Sequence, residues 1–243
     1  MVKLNDTFLG GSGIHQSMGS GLIIMYWREI LRRELTKEIL ESYEWFVITR
    51  SDFLWQIEHP NVNLLKKDKV YLLDGEKYEG ISDRHIIFHR DNAEKVLAFA
   101  SPIFNDALGI KEKLILNSYT EMNPEKYLAF IAKEFGLSES FIFIPYLGYA
   151  IRHPETSTRW SLGVFDQSRN YFIKYPTEVA ATNASGLILR SQGDWAKFFN
   201  NEFYFRRSMY NLRSNFIYIS KRTTYYLRTG TTKILRILRF RGM

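Results

Sequence analysis

The chain has 243 residues, 45% of them apolar and 24% charged, which is enough for one large domain with a small appendage and excludes a disordered chain. It contains no cysteine, so disulfides and thiolate metal sites are excluded. The net charge of +7 is uneven: from Arg190 onward twelve Lys or Arg stand against two acids, a balance of +10, leaving −3 for the rest.

In chain order, residues 1–21 carry Gly10, Gly11, Gly13, Gly19 and Gly21 but neither of the glycine motifs that cradle phosphate, and no charged-then-apolar leader. They read as a lead into a core helix of about 22 residues with Ile23, Trp27, Leu31, Leu35, Ile39 and Tyr43 on one stripe. Glu29/Arg33 and Lys37/Glu41 are its expected surface pairs. Trp45-Phe46-Val47-Ile48-Thr49 is a short unbroken apolar run, as expected of a strand buried in a parallel sheet. It stops at Arg50-Ser51-Asp52, where an open α/β sheet keeps its ligands. Val70-Tyr71-Leu72-Leu73 ends likewise in Asp74-Gly75-Glu76, and His85-Ile86-Ile87-Phe88 follows Asp83-Arg84. Predicted strand ends therefore bring Asp52, Asp74 and Asp83 together with Arg50 and Arg84.

His85 and His89, four apart on one strand face, read as core or edge histidines. Residues 91–100 are expected to be helical, capped by Asp91 and ended by Ser101-Pro102. Residues 103–116 read as helical and then extended. Asn123-Pro124-Glu125 opens a helix that stops at Gly136, and 141–144 is a further buried strand. Residues 158–176 alternate as a β-hairpin turned at Asp166-Gln167-Ser168, and a helical pattern resumes at Trp195. The longest apolar run, 141–151, is too short to span a bilayer, so the chain is expected to be soluble and cytoplasmic. Lys233 to Arg241 alternates basic and bulky residues, which suits an anionic membrane surface. No nucleic-acid motif is present, and nucleic acid is not an expected partner.

The segments YEWFVITRSDFLW (43–55), VYLLDGEKYEGISDRH (70–85), MNPEKYLAF (122–130), IPYLGYAIRHP (144–154) and TRWSLGVFDQSRNYFIKYPTE (158–178) together resemble the core of GT-A-type glycosyltransferases that build surface polysaccharides and lipopolysaccharides. The resemblance implies an α/β fold over residues 1–190, a GT-A-like (Rossmann-like) mixed sheet flanked by helices, followed by a basic helical tail over 191–243. The strand and helix that hold the nucleotide base in such enzymes are not recognisable in residues 1–20, so part of that half is expected to be missing. The implied activity moves a sugar from a nucleotide-sugar donor to a glycan or lipid-linked acceptor, with the tail against an anionic membrane.

The resemblance also implies roles. Asp52 stands where the family has an Asp-x-Asp, as the one acid left to ligate Mg²⁺ or Mn²⁺. Arg50 contacts phosphate or the donor sugar. Asp83 or Glu125 is the general base, with Arg84 facing donor and acceptor beside Asp83. Arg159, Trp160, Lys174 and Tyr175 close over phosphate or stack on a sugar ring, with core packing as the equal alternative. Blander readings remain for the same residues: a local Arg50–Asp52 ion pair, and Glu125 as an ordinary acid in a first helical turn. A catalytically inactive glycan-binding scaffold and a basic membrane-surface adaptor are the rival functions.

Overall fold

The computed structural model describes residues 20–74, 80–119, 123–156, 162–192 and 194–199. Two compact units divide the chain, Met1–Ser185 and Gly186–Met243.

The first unit is mixed α/β, with two four-stranded sheets and flanking helices. In the first sheet, β1 (Trp45–Thr49), β4 (His85–His89), β3 (Val70–Leu73) and β5 (Phe141–Ile144) lie in that spatial order. β4 runs antiparallel to both neighbours, and only β3 and β5 are parallel. The second sheet places β2 (Phe53–Trp55), β6 (Gly148–Arg152), β8 (Tyr171–Ile173) and β7 (Val164–Asp166) in order, all antiparallel. β1 is thus an edge strand and not an interior one of a parallel sheet. Its Val47 is exposed; the strands buried throughout are β3, apolar along its length, and β4, apolar between His85 and His89.

The core fills from the alternate faces of those two strands. Val70, Leu72, Ile86 and Phe88 point into a cluster with Met25, Val96, Phe99, Ile103, Leu114, Leu128 and Ile131. These come from α1 (Ser20–Glu34), α3 (Ala93–Leu97), the turn after it, α4 (Ser101–Asn105), α5 (Ala107–Leu116) and α6 (Pro124–Glu134). On the other face, Trp45 packs against Tyr71 and His89, while Trp55 and His59 cover His85. His85 and His89 are therefore core residues, as their spacing suggested.

Several local expectations change. The long first helix breaks at Leu35-Thr36: Thr36 caps a separate short helix, α2 (Lys37–Ser42), by accepting from the Ile39 N–H. Its anticipated buried stripe is buried only in part: Leu31 and Leu35 pack against the core, while Ile23, Trp27, Ile39 and Tyr43 are exposed. His89, not Asp91, caps the turn at 90–92 through Nδ1. Pro102 begins α4 instead of ending a helix, because a first-turn residue has no N–H to lose. Residues 107–116 are helical to the end. The start at Asn123 holds, with its side chain accepting from the Lys126 N–H, and so does the stop at Gly136, whose φ of +68° favours glycine.

Among the described residues the hairpin is present as β7 and β8. Asp166 accepts from the Ser168 and Arg169 N–H groups at its turn. Helix α7 (Pro176–Gln192), which the sequence patterns left unassigned, crosses from one unit into the next.

In the second unit, α8 (Trp195–Phe199) confirms the helical pattern at its start. Asp194 accepts from the Lys197 N–H, and the Trp195, Phe198 and Phe199 rings pack together. The remainder of the predicted basic tail lies outside the described residues. Among the described residues no helix is long and apolar enough to cross a membrane.

Candidate active site

Antiparallel pairing puts the carboxyl end of β1 and the amino end of β4 at one end of the first sheet, in the register Thr49↔His85. Because β3 is also antiparallel to β4, the residues after Leu73 leave at that same end, and β5, parallel to β3, joins them. Charged residues that follow β1 and precede β4 are thereby gathered without a parallel sheet. The Arg50 N–H donates to the Arg84 carbonyl at 3.1 Å and fixes the two loops together.

The guanidinium of Arg50 forks onto Asp52, with Nε to one carboxylate oxygen at 2.7 Å and Nη2 to the other at 2.6 Å. Its Nη1 lies 4.0 Å from Asp83. Burial opposes ionisation of Asp52, but the hydrogen bonds and charge of Arg50, with Lys174 adding, hold its carboxyl below the ordinary range. The Arg50 and Asp52 side chains keep 27% and 32% of their surface open, so this pair forms the accessible lip of the cluster.

Asp83 is nearly buried, and so is Arg84. Arg84 donates to the Tyr146 hydroxyl at 2.8 Å, approaches Glu178 at 2.9 Å and lies over the Tyr175 ring. Glu178, in the first turn of α7, accepts from the Ala150 N–H. Burial pushes its carboxyl up while Arg84 opposes the shift.

The loop before β4 is pressed against α6. A Cβ on Gly80 would collide with the Glu125 carbonyl, and the Ile81 N–H donates to that carbonyl at 3.0 Å. This contact brings Glu125 to Asp83. Burial first, and the charge of Asp83 second, push the Glu125 carboxyl up to about 7, with Arg84 and Arg50 opposing. Behind Asp83, buried Arg28 of α1 donates to its carbonyl at 3.3 Å. Burial lowers the Arg28 pKa and Asp83 opposes the shift.

Six residues singled out in the sequence thus converge: Arg50, Asp52, Asp83, Arg84, Glu125 and Lys174. Arg159 and Trp160 lie outside the described residues. Sequence reasoning missed Arg28, Tyr146 and Glu178. The one available signal was the Tyr-Pro-Thr-Glu run at 175–178, which has the proline and acid of a helix start.

The donor set does not fit a divalent cation at Asp52. Both carboxylate oxygens are held by one guanidinium, Lys174 adds a second positive charge, and no group of three His, Asp or Glu gathers among the described residues. What the cluster offers chemically is a half-buried carboxyl poised near neutrality beside fixed cations. Comparison with family models, with curated proteins and with solved structures finds no match for this chain.

Proposed function

We propose that the first unit is a GT-A-like glycosyltransferase domain that moves a sugar from a nucleotide-sugar donor to a glycan or lipid-linked acceptor in surface polysaccharide synthesis. The observation that carries this reading is the meeting of Glu125 and Asp83 with Arg50 and Lys174 at one sheet end. The sequence resemblance and the parallel β3–β5 pair, connected through β4 and the helices α3 to α6, agree with it.

Glu125 serves as the base. A carboxyl titrating near neutrality is both available to accept a proton and basic enough to take it from an acceptor hydroxyl as attack proceeds. The acceptor oxygen bonds to the anomeric carbon, the bond from that carbon to the phosphate oxygen breaks, and its electron pair leaves with the nucleoside diphosphate. Arg50 and Lys174 stabilise the departing charge in place of a cation, because a guanidinium fork matches phosphate oxygens. Asp83 keeps Glu125 basic by like-charge repulsion, and Arg84 holds Asp83 in place through the adjoining backbone.

Purified chain incubated with a panel of sugar nucleotides is expected to bind or hydrolyse at least one of them. Nucleoside diphosphate release should fall by about 10²–10⁴-fold in Glu125→Gln. A chain inert toward the whole panel, or one whose glycan binding is indifferent to Asp52→Ala, fits instead the reading favoured by the closed Arg50–Asp52 and Arg84–Glu178 pairs, a scaffold whose charges serve structure.

A further inference from the structure

His85 is fully buried, on the face of β4 opposite Ile86 and Phe88, and among the described residues neither of its ring nitrogens has a hydrogen-bond partner. Buried polar atoms are nearly always paired, so an imidazole with both nitrogens unmatched calls for a reason. Its cover is two rings set edge-on, Trp55 at 4.9 Å and His59 at 5.3 Å between centroids. His59 is half-buried and donates from Nδ1 to the Pro60 carbonyl at 2.9 Å, while its Nε2 is a further buried nitrogen without a partner. Two imidazoles thus share one buried corner.

No acid compensates them. Burial first, and for His85 the charge of His59 second, hold both rings below the ordinary histidine range. From β1, Thr49 stands opposite His85, and the next residue, Arg50, is committed to Asp52. From β3, Tyr71 accepts from the Lys66 N–H, and Asp74 lies beyond the strand end. On β4 itself Arg84 turns to Tyr146 and Glu178, and His89 faces Asp91. Glu58, beside His59, is exposed. None of these charges acts on either ring. A proton on His85 therefore puts a charge among apolar rings with no carboxylate to meet it. β4 is paired on both sides, so His85 stays in place and the cover is the part that can leave. That cover is a corner of the chain, from Trp55 to Pro60. The Gln56 and Ile57 N–H groups share the Leu147 carbonyl, Gln56 reaches the Tyr149 hydroxyl, and Trp55 is already 39% exposed.

We infer that Trp55 and His59 form an acid-released latch over His85: proton uptake by the two imidazoles lifts the 55–60 corner away while the first sheet stays folded. β2 begins directly after Asp52, so release of the latch loosens the accessible lip of the charged cluster. The latch is independent of the transferase reading, since it needs neither donor nor acceptor. Amide hydrogen exchange of the full chain, followed by mass spectrometry at pH 7 and pH 5 and corrected for intrinsic rates, tests it in water and in urea too dilute to unfold the chain. Exchange over 53–60 is expected to rise about tenfold or more at pH 5. The rise does not depend on urea, because a small opening exposes little surface. The β3–β4 core, read at 70–73 and 86–88, remains the more protected at both pH values. His85→Phe keeps a ring under the cover but takes up no proton, and it removes most of the rise. A rise shared equally by the core, with the same urea dependence, overturns the latch, since His85 is then reached only when the whole sheet unfolds. No rise in wild type overturns it, and so does a rise that persists in His85→Phe; the wild-type outcomes decide even if that variant fails to fold.

Discussion

Glu125 and His85 show how burial sets what one side chain does, in opposite directions. Glu125 is pushed from 4.5 to about 7, so in that interval the folded chain keeps a proton that the unfolded chain has released. Stability therefore falls as pH rises through the window, by up to about 3 kcal/mol. Glu125→Gln should remove that dependence, which urea unfolding at pH 4 and pH 8 will measure; an unchanged pH difference would mean that Glu125 titrates normally. His85 is driven down to about 3 by burial and by neighbouring His59, so the unfolded chain binds a proton that the folded one refuses. Stability falls as pH drops below 6.5, at about 1.4 kcal/mol per unit, until the folded pKa is passed. His85→Phe keeps a ring between Trp55 and His59 and should flatten that slope between pH 6 and pH 4 in the same measurement. Reading Glu125 in the sequence was possible because Asn123-Pro124 marks a helix start. Its shifted acidity was not readable, because it comes first from burial by the folded chain and then from the charge of Asp83, far away in sequence.

At the level of elements, local signals succeeded where the deciding contact was local and failed where a partner strand decided. The Asn123 cap, the Gly136 stop and the hairpin turn at Asp166 all rest on bonds within a few residues. The run at 45–49 looked like an interior strand because its residues are apolar, yet its only pairing partner in the first sheet is β4, which leaves it at the edge. Helix α7 escaped notice because Thr, Asn, Ser and Gly interrupt its apolar pattern. Its burial is organised by polar contacts, Glu178 to the Ala150 N–H and Thr182 to the Gly148 carbonyl. The segment 80–84 is the element the site depends on most. Gly80→Ala drives a methyl group into the α6 backbone at Glu125, so either that loop or the helix start must move. The expected cost is about 1–3 kcal/mol of stability, read from thermal denaturation, together with a loss of activity matching that of Glu125→Gln. A variant with wild-type melting and turnover would show that the loop has slack.

Across the first unit as a whole, a buried charged tie links the two sheets. Arg84 leads into β4 of the first sheet, while Glu178 caps the β6 backbone of the second through Ala150. The two charges approach at 2.9 Å with both side chains almost wholly buried and without aligned hydrogen-bond geometry at that Glu178 oxygen. A buried pair of this kind adds little over a well-packed apolar replacement, because desolvating both ions offsets most of their attraction. Losing one member is different: the survivor is left charged, buried and unmatched. Arg84→Met should therefore cost about 3–5 kcal/mol, whereas Arg84→Met combined with Glu178→Leu should recover much of that loss. Urea unfolding of both singles and the double closes the cycle. If the double variant were as unstable as the sum of the singles, the two residues would act separately, and the cluster at the sheet end would be a set of neighbours, not one coupled unit. Strong coupling would instead mean that Arg84 is engaged in holding the two sheets together, which leaves Arg50, paired with Asp52 at the accessible lip, and Lys174 as the cations to meet a substrate.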